Sequence, residues 1–187
     1  MATLTMLGVG HSEALKHWNN NAMVEAGGRR LLIDAGYTIK FALQDLGLGL
    51  ADVHAVFITH AHADHCFGLE RLGYECRFQH GFRPTLYLPP GVYEELWEHT
   101  LKGVMGQVGE GPAELDDFFD VVLLEDMSFE FEGIQFQLFQ NQHTPQKPSY
   151  GLFIMHLMSY EHNFEQHRLE VESEFAGFVR QGQEFAL

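Results

Sequence analysis

Four side chains that can ligate a metal, His60, His62, Asp64 and His65, crowd into the six residues that follow an apolar run at 53–59. That run carries β-branched residues and reads as a short strand buried on both faces. Side chains two residues apart in an extended turn project the same way, so His60 and His62 can grip one ion. Asp64 and His65 fall where the next helix would begin and can turn toward a second ion. Imidazole and carboxylate together suit zinc, and also manganese or iron. A solvated polar loop is the competing reading, but a chance cluster of histidines has no reason to cap a buried strand. The chain is therefore constrained to a fold in which a buried strand ends at a polar rim.

The rest of the chain supplies such a fold. Its 187 residues make one domain at about 100–200 residues per domain. A 45% hydrophobic content is enough for a packed core and argues against disorder. Residues 22–24 and 30–33 flank the Gly27-Gly28 turn and read as a hairpin. Ile39, Leu43 and Leu46 stand at helical spacing before Gly47. Thr85 to Leu88 and residues 121–124 read as strands, and Tyr93, Trp97 and Leu101 mark a helix face. Residues 103–114 carry four glycines and a proline, which predicts mobility, and 91–118 could form a lid. Apolar alternation around Glu132-Gly133 predicts a second hairpin, and Tyr150 to His156 a last strand after the polar loop 140–149. Val171, Phe175 and Phe178 fit one side of a terminal helix over a divergent tail, 159–187. Alternating strands and helices with hairpins predict an α/β class with mixed sheets.

Charge and cysteine content narrow the partners. Eleven Lys and Arg against 26 Asp and Glu give a formal charge of −15, which disfavours nucleic acid and anionic membrane. A small anionic ligand held by a local cation remains open. Two cysteines, Cys66 and Cys76, build neither a disulfide scaffold nor a four-thiolate zinc site. The start does not read as a signal peptide, and no apolar stretch reaches about 18 residues, so the expected setting is soluble, reducing and cytoplasmic.

The pattern His-x-His-x-Asp-His after a strand resembles the metallo-β-lactamase fold of metal-dependent hydrolases. Leu7-Gly8-Val9-Gly10 resembles that family's first strand and glycine loop. Asn21 to Glu25, followed by Leu31-Leu32-Ile33-Asp34-Ala35-Gly36, resembles its first hairpin and motif, and Gly68-Leu69 its usual continuation after the histidines. His143 and Pro148-Ser149-Tyr150-Gly151 are similar to the third motif of the branch with the tRNA 3′-processing endonuclease and related phosphodiesterases. The resemblance covers about residues 3–154. It implies an αββα sandwich, incomplete at its C-terminal end, within a single domain over 1–187. It implies that His143 is a ligand and that Asp34 supports the metal site by a hydrogen bond to the ligand loop. The chain departs from the family in its second half. No Asp follows Asp126, so the usual bridging Asp is missing, and His156, Glu161, His162 and His167 match no family motif.

These ligands imply a reaction. His60, His62 and His143 make a three-histidine set that leaves one tetrahedral position open for water. Asp64 and His65 serve a second ion only with help from the tail or a partner chain. One zinc ion is expected, a second being weaker. In the family's mechanism a metal-activated water attacks the electrophile while Asp64 handles its proton. The expected function is phosphodiester hydrolysis of a small or cyclic nucleotide. The alternatives are a degenerate member that binds a ligand or partner without turnover, and a thioester or lactam hydrolase. An open sheet edge predicts a homo-oligomer. His11 is a minor candidate for the site. Cys66, His17, His54, His80 and His99 are expected to be structural or on the surface.

Overall fold

The computed structural model describes residues 2–143 and 146–156. In chain order the strands are β1 (Thr3–Met6), β2 (Ala22–Ala26), β3 (Arg29–Ile33), β4 (Ala55–Phe57), β5 (Thr85–Leu88), β6 (Gln107–Val108), β7 (Gly111–Pro112), β8 (Asp120–Leu123), β9 (Ser128–Phe131), β10 (Ile134–Gln140) and β11 (Tyr150–His156). The helices are α1 (Ile39–Asp45), α2 (Ala63–Cys66), α3 (Gly68–Tyr74), α4 (Val92–Leu96) and α5 (Lys102–Met105), with π-helical turns at Glu75–His80 and Trp97–Leu101.

Six strands form one sheet in the order β1-β2-β3-β4-β5-β8. The first two pairings are antiparallel, as the hairpin at Gly27-Gly28 requires, and the other three are parallel. Parallel neighbours need crossovers, and α1 supplies the first and α3 the second. β9, β10 and β11 form a separate antiparallel sheet.

The two sheets pack face to face. Phe57 from β4 and Tyr87 from β5 stack on Phe129 at 5.6 and 4.3 Å, and Phe129 stacks on Phe136 at 4.6 Å. Because successive strand residues face opposite ways, Val56 points away from Phe57. Both are fully buried, so β4 is covered on each face as its apolar run predicts. Such a strand can hold a polar residue only at its end, where Thr59 and His60 stand.

Several expectations need correcting. Residues 102–112 hold a helix and the small β6–β7 hairpin, where glycine content alone predicts mobility. Within 91–118, Val92, Leu96, Trp97, Leu101, Met105, Leu115 and Phe118 are at most 2% exposed. These residues anchor the segment to the core, and the β6–β7 hairpin is its exposed part, so opening 91–118 as a lid would bring that apolar surface into water. Leu46 caps α1 half exposed, and Ala42 takes its place on the buried face. The tail helix expected over 159–187, with Val171, Phe175 and Phe178, lies outside the described residues, as do Glu161, His162 and His167. Among the described residues no helix is long and apolar enough to cross a membrane.

Candidate metal centre

The centre forms because β3 and β4 run parallel and end side by side. Asp34 follows β3 and Thr59 follows β4, with the Asp34 amide donating to Phe57 O at 2.8 Å. This is the carboxyl end of the parallel strands, where open α/β sheets place their ligands. Asp34 takes a left-handed backbone, φ 64°, which Asp and Asn tolerate better than most residues. That conformation turns its carboxylate under the histidine loop.

Asp34 is 2% exposed and accepts from three donors. The Thr59 amide reaches Oδ1 at 2.8 Å, the Thr59 hydroxyl reaches Oδ2 at 2.8 Å, and His65 Nδ1 reaches Oδ2 at 2.6 Å. Since the hydroxyl proton is spent on Asp34, Thr59 Oγ1 must accept from His60 Nδ1, 2.9 Å away. The network thus fixes the tautomer of His60 and leaves its Nε2 lone pair free. His65 is held in the same sense, with Nδ1 on Asp34 and Nε2 3.5 Å from Asp64 Oδ2.

His143 arrives from the other sheet on the β10–β11 loop. The Asn141 amide donates to Ser149 O at 2.9 Å and closes the loop, and the Tyr150 amide donates to Thr59 O at 3.2 Å. The Tyr150 hydroxyl also donates to Pro90 O at 3.0 Å. His143 then stands with its ring centroid 4.7 Å from His60 and 5.3 Å from His62. Ligand atoms of His60, His62 and His143 all lie within 4.8 Å of one another, and His60 Nε2 is 3.0 Å from His62 Nδ1.

This donor set fits a divalent metal. Burial, together with the charges that His65, His62 and His143 would carry, pushes His60 down to about 2, so it is a neutral imidazole across the physiological range. Burial and His143 also lower His62. Three imidazoles whose ligand atoms converge on one point are the arrangement a zinc-type ion satisfies. His65 differs. Burial pulls it down, but the hydrogen bond and charge of Asp34, with the charge of Asp64, raise it above its ordinary value. Among the described residues Asp64 and His65 are a pair beside the three-histidine set and do not belong to it.

The remaining candidates fall away from the centre. His11 is exposed, and its Nδ1 accepts the Glu13 amide proton within its own turn. Cys66 is fully buried, and that burial with the charges of Asp34 and Asp64 pushes its thiol up to about 12, so it stays protonated. His156 closes β11. Sequence reasoning gave no role to Thr59, which links Asp34 to His60, or to Asn21. Asn21 Oδ1 accepts the Gly36 amide at 3.0 Å, and Asn21 Nδ2 reaches Asp64 O at 3.4 Å. Gly36 itself passes so close to this turn that a Cβ there would lie 2.0 Å from Asp64 O. Thr59 reads in the sequence only as the end of strand 53–59, and Asn21 and Gly36 only as parts of the first hairpin and motif.

A family model described as anti-Pycsar protein Apyc1 matches residues 2–156. A protein of that description from Saccharibacillus brassicae is 42% identical over 153 residues, which are 81% of this chain and 62% of that protein. The chain spans about three fifths of the length of the curated relatives it matches. Among solved structures, the metallo-β-lactamase-fold protein YhfI from Bacillus subtilis gives a TM-score of 0.64 at 14% identity, covering 82% of this chain and 58% of that one. A diphosphatase of the PhnP family gives 0.61 at 23%, covering 82% and 62%. Zn(2+)-bound PqqB from Methylobacterium extorquens gives 0.61 at 19%, covering 83% and 62%. These likenesses establish the metallo-β-lactamase fold.

Proposed function

The chain belongs to the anti-Pycsar protein Apyc1 family, and we propose that it is a metal-dependent hydrolase that cleaves the phosphodiester of a small or cyclic nucleotide. The observation that carries this reading is the set of three imidazoles with their ligand atoms within 4.8 Å of one another at the open end of a parallel sheet. His60, His62 and His143 would hold the ion. The chemistry supplied there is polarisation of a phosphate oxygen and acidification of water to a pKa of about 7.

The chain's own groups do the rest. Thr59 holds the Nδ1 proton of His60 away from the shared point, and Asp34 does the same for His65. Asp64, 14% exposed in its side chain and 3.5 Å from His65 Nε2, would take the proton from a water. The substrate class is supported by the family and by the likeness of the His143–Gly151 loop to phosphodiesterases. A charge of −15 tells against a long polyanion, whose binding draws on many Lys and Arg contacts. The 91–118 segment lends no support, since its apolar residues are packed into the core.

The non-catalytic reading is favoured by one observation. The Asp64–His65 pair offers two donors, too few for a second ion among the described residues. A panel decides between them: bis-p-nitrophenyl phosphate and cyclic nucleotides beside nitrocefin and a thioester, in zinc and in manganese. Diester cleavage is expected. Cleavage of nitrocefin or the thioester alone would falsify the substrate class, and no turnover by fully metallated protein would leave the binding role.

A further inference from the structure

The loop that delivers His143 also carries Lys147. In a chain with 11 Lys and Arg against 26 Asp and Glu, a cation at this rim is unlike its surroundings. The main chain after Lys147 is pinned: Pro148 lies against Gly91, Ser149 O accepts the Asn141 amide, and the Tyr150 hydroxyl reaches Pro90 O. The side chain is 43% exposed, and its Nζ stands 3.4 Å from Glu95 Oε2 on α4. Glu95 is not dedicated to it, because Glu95 Oε1 is 3.5 Å from His99 Nδ1. The loop holds this residue near the centre, because the Tyr150 amide, three residues on, donates to Thr59 O beside His60 at 3.2 Å.

An exposed pair at this distance adds little to stability, so exchanging it for another anion costs little. A lysine is a compact charge on a flexible stem, suited to reaching one oxygen of a phosphate. We propose that Lys147 is the anion-binding residue of this centre, leaving Glu95 to pair with a non-bridging phosphate oxygen and so favouring a charged phosphodiester over a neutral ester or lactam. This deepens the phosphodiesterase reading and rests on it for the identity of the anion.

A different role is a tether: Lys147 and Glu95 could tie the His143 loop to α4. The two roles predict opposite signs, which makes the pair of variants Lys147→Gln and Glu95→Gln decisive. A tether is cut equally by either change, and both variants would suffer alike. For an anion-binding residue, Lys147→Gln raises KM for bis-p-nitrophenyl phosphate about 5- to 20-fold with kcat within about twofold. Glu95→Gln lowers KM, by about two- to threefold, because it frees the ammonium. Lys147→Arg stays within about threefold of wild type.

A second readout separates this inference from the function it rests on. Inorganic phosphate is titrated into the metal-free chain at constant ionic strength, and the imidazole resonances of His60 and His62 are followed by NMR. Phosphate is expected to shift them, more weakly in Lys147→Gln and more strongly in Glu95→Gln. If wild type cleaves no diester yet this dependence on Lys147 holds, the anion site stands and the phosphodiesterase reading falls. If diesters are cleaved but Lys147→Gln keeps its KM, or both variants shift KM and phosphate binding in the same direction, Lys147 does not bind the anion.

Discussion

Replacing Asp34 with Asn tests the centre at its most connected point. Asn tolerates the left-handed backbone of residue 34, so the substitution isolates the carboxylate from the turn. Asp34 accepts three bonds at 2.6–2.8 Å while 2% exposed. An amide nitrogen facing His65 Nδ1 sets two donors against each other. The clash is relieved either by His65 moving its proton to Nε2 or by the amide turning over, which sets its nitrogen against the Thr59 amide instead, so one bond is lost in either case. Losing one charge-assisted bond costs about 1.5–3 kcal/mol. For a chain this size that lowers Tm by roughly 3–12 °C, at about 2–4 °C per kcal/mol. Zinc affinity should fall roughly 10- to 100-fold, the usual cost of removing a partner that orients ligands. Thermal melts followed by circular dichroism with chelator present, a zinc competition titration, and ¹⁵N shifts of His65 measure the three effects. A variant that melts within about 1 °C of wild type and keeps the Nδ1 proton on His65 would refute the argument.

Elemental analysis should find about one tightly held transition metal per chain, and His60→Ala with His62→Ala, or His143→Ala alone, should lose it; folded protein that takes up no added zinc contradicts this. Metal-free stability should peak near pH 6.5. Below that the unfolded chain protonates a histidine that the folded one, with His60 down at about 2, does not, so stability falls with acid by up to about 1.4 kcal/mol per pH unit. Above it, the raised His65 keeps a proton that the unfolded chain has lost, so stability falls as pH rises through the folded value. Urea titrations across this range, in which His60→Asn flattens the acid limb, check both signs. Gly36→Ala forces a methyl to within 2.0 Å of Asp64 O and should cost roughly 2–3 kcal/mol together with metal affinity. Gly103→Ala, which meets nothing within 4 Å, is the control and should leave both unchanged in the same melts and titrations.

The sequence alone determined whatever depends on neighbours along the chain. A strand within 53–59, found at Ala55–Phe57, the paired directions of His60 and His62, a helix starting beside Asp64, at Ala63, and the hairpins at Gly27-Gly28 and Glu132-Gly133 all follow from period, turn chemistry and local apolarity. Where a local signal competed with packing, packing won. The glycines of 103–114 predict mobility, yet the segment folds as the end of a helix and a small hairpin anchored by buried Met105 and Ala113, and Trp97, Leu101, Leu115 and Phe118 on either side of it are core. Composition measures backbone freedom, and only the three-dimensional neighbours show how much apolar surface outweighs it. The centre itself is tertiary. Asp34 meets Thr59 25 residues away and His65 31 residues away because β3 and β4 pair in parallel. His143 joins them because the second sheet folds onto the first through Phe57, Tyr87, Phe129 and Phe136. A motif names the residue types a metal needs. The lone pairs it would bind are freed by Asp34 and Thr59, whose hydrogen bonds to the ligands exist only once those strand ends are side by side.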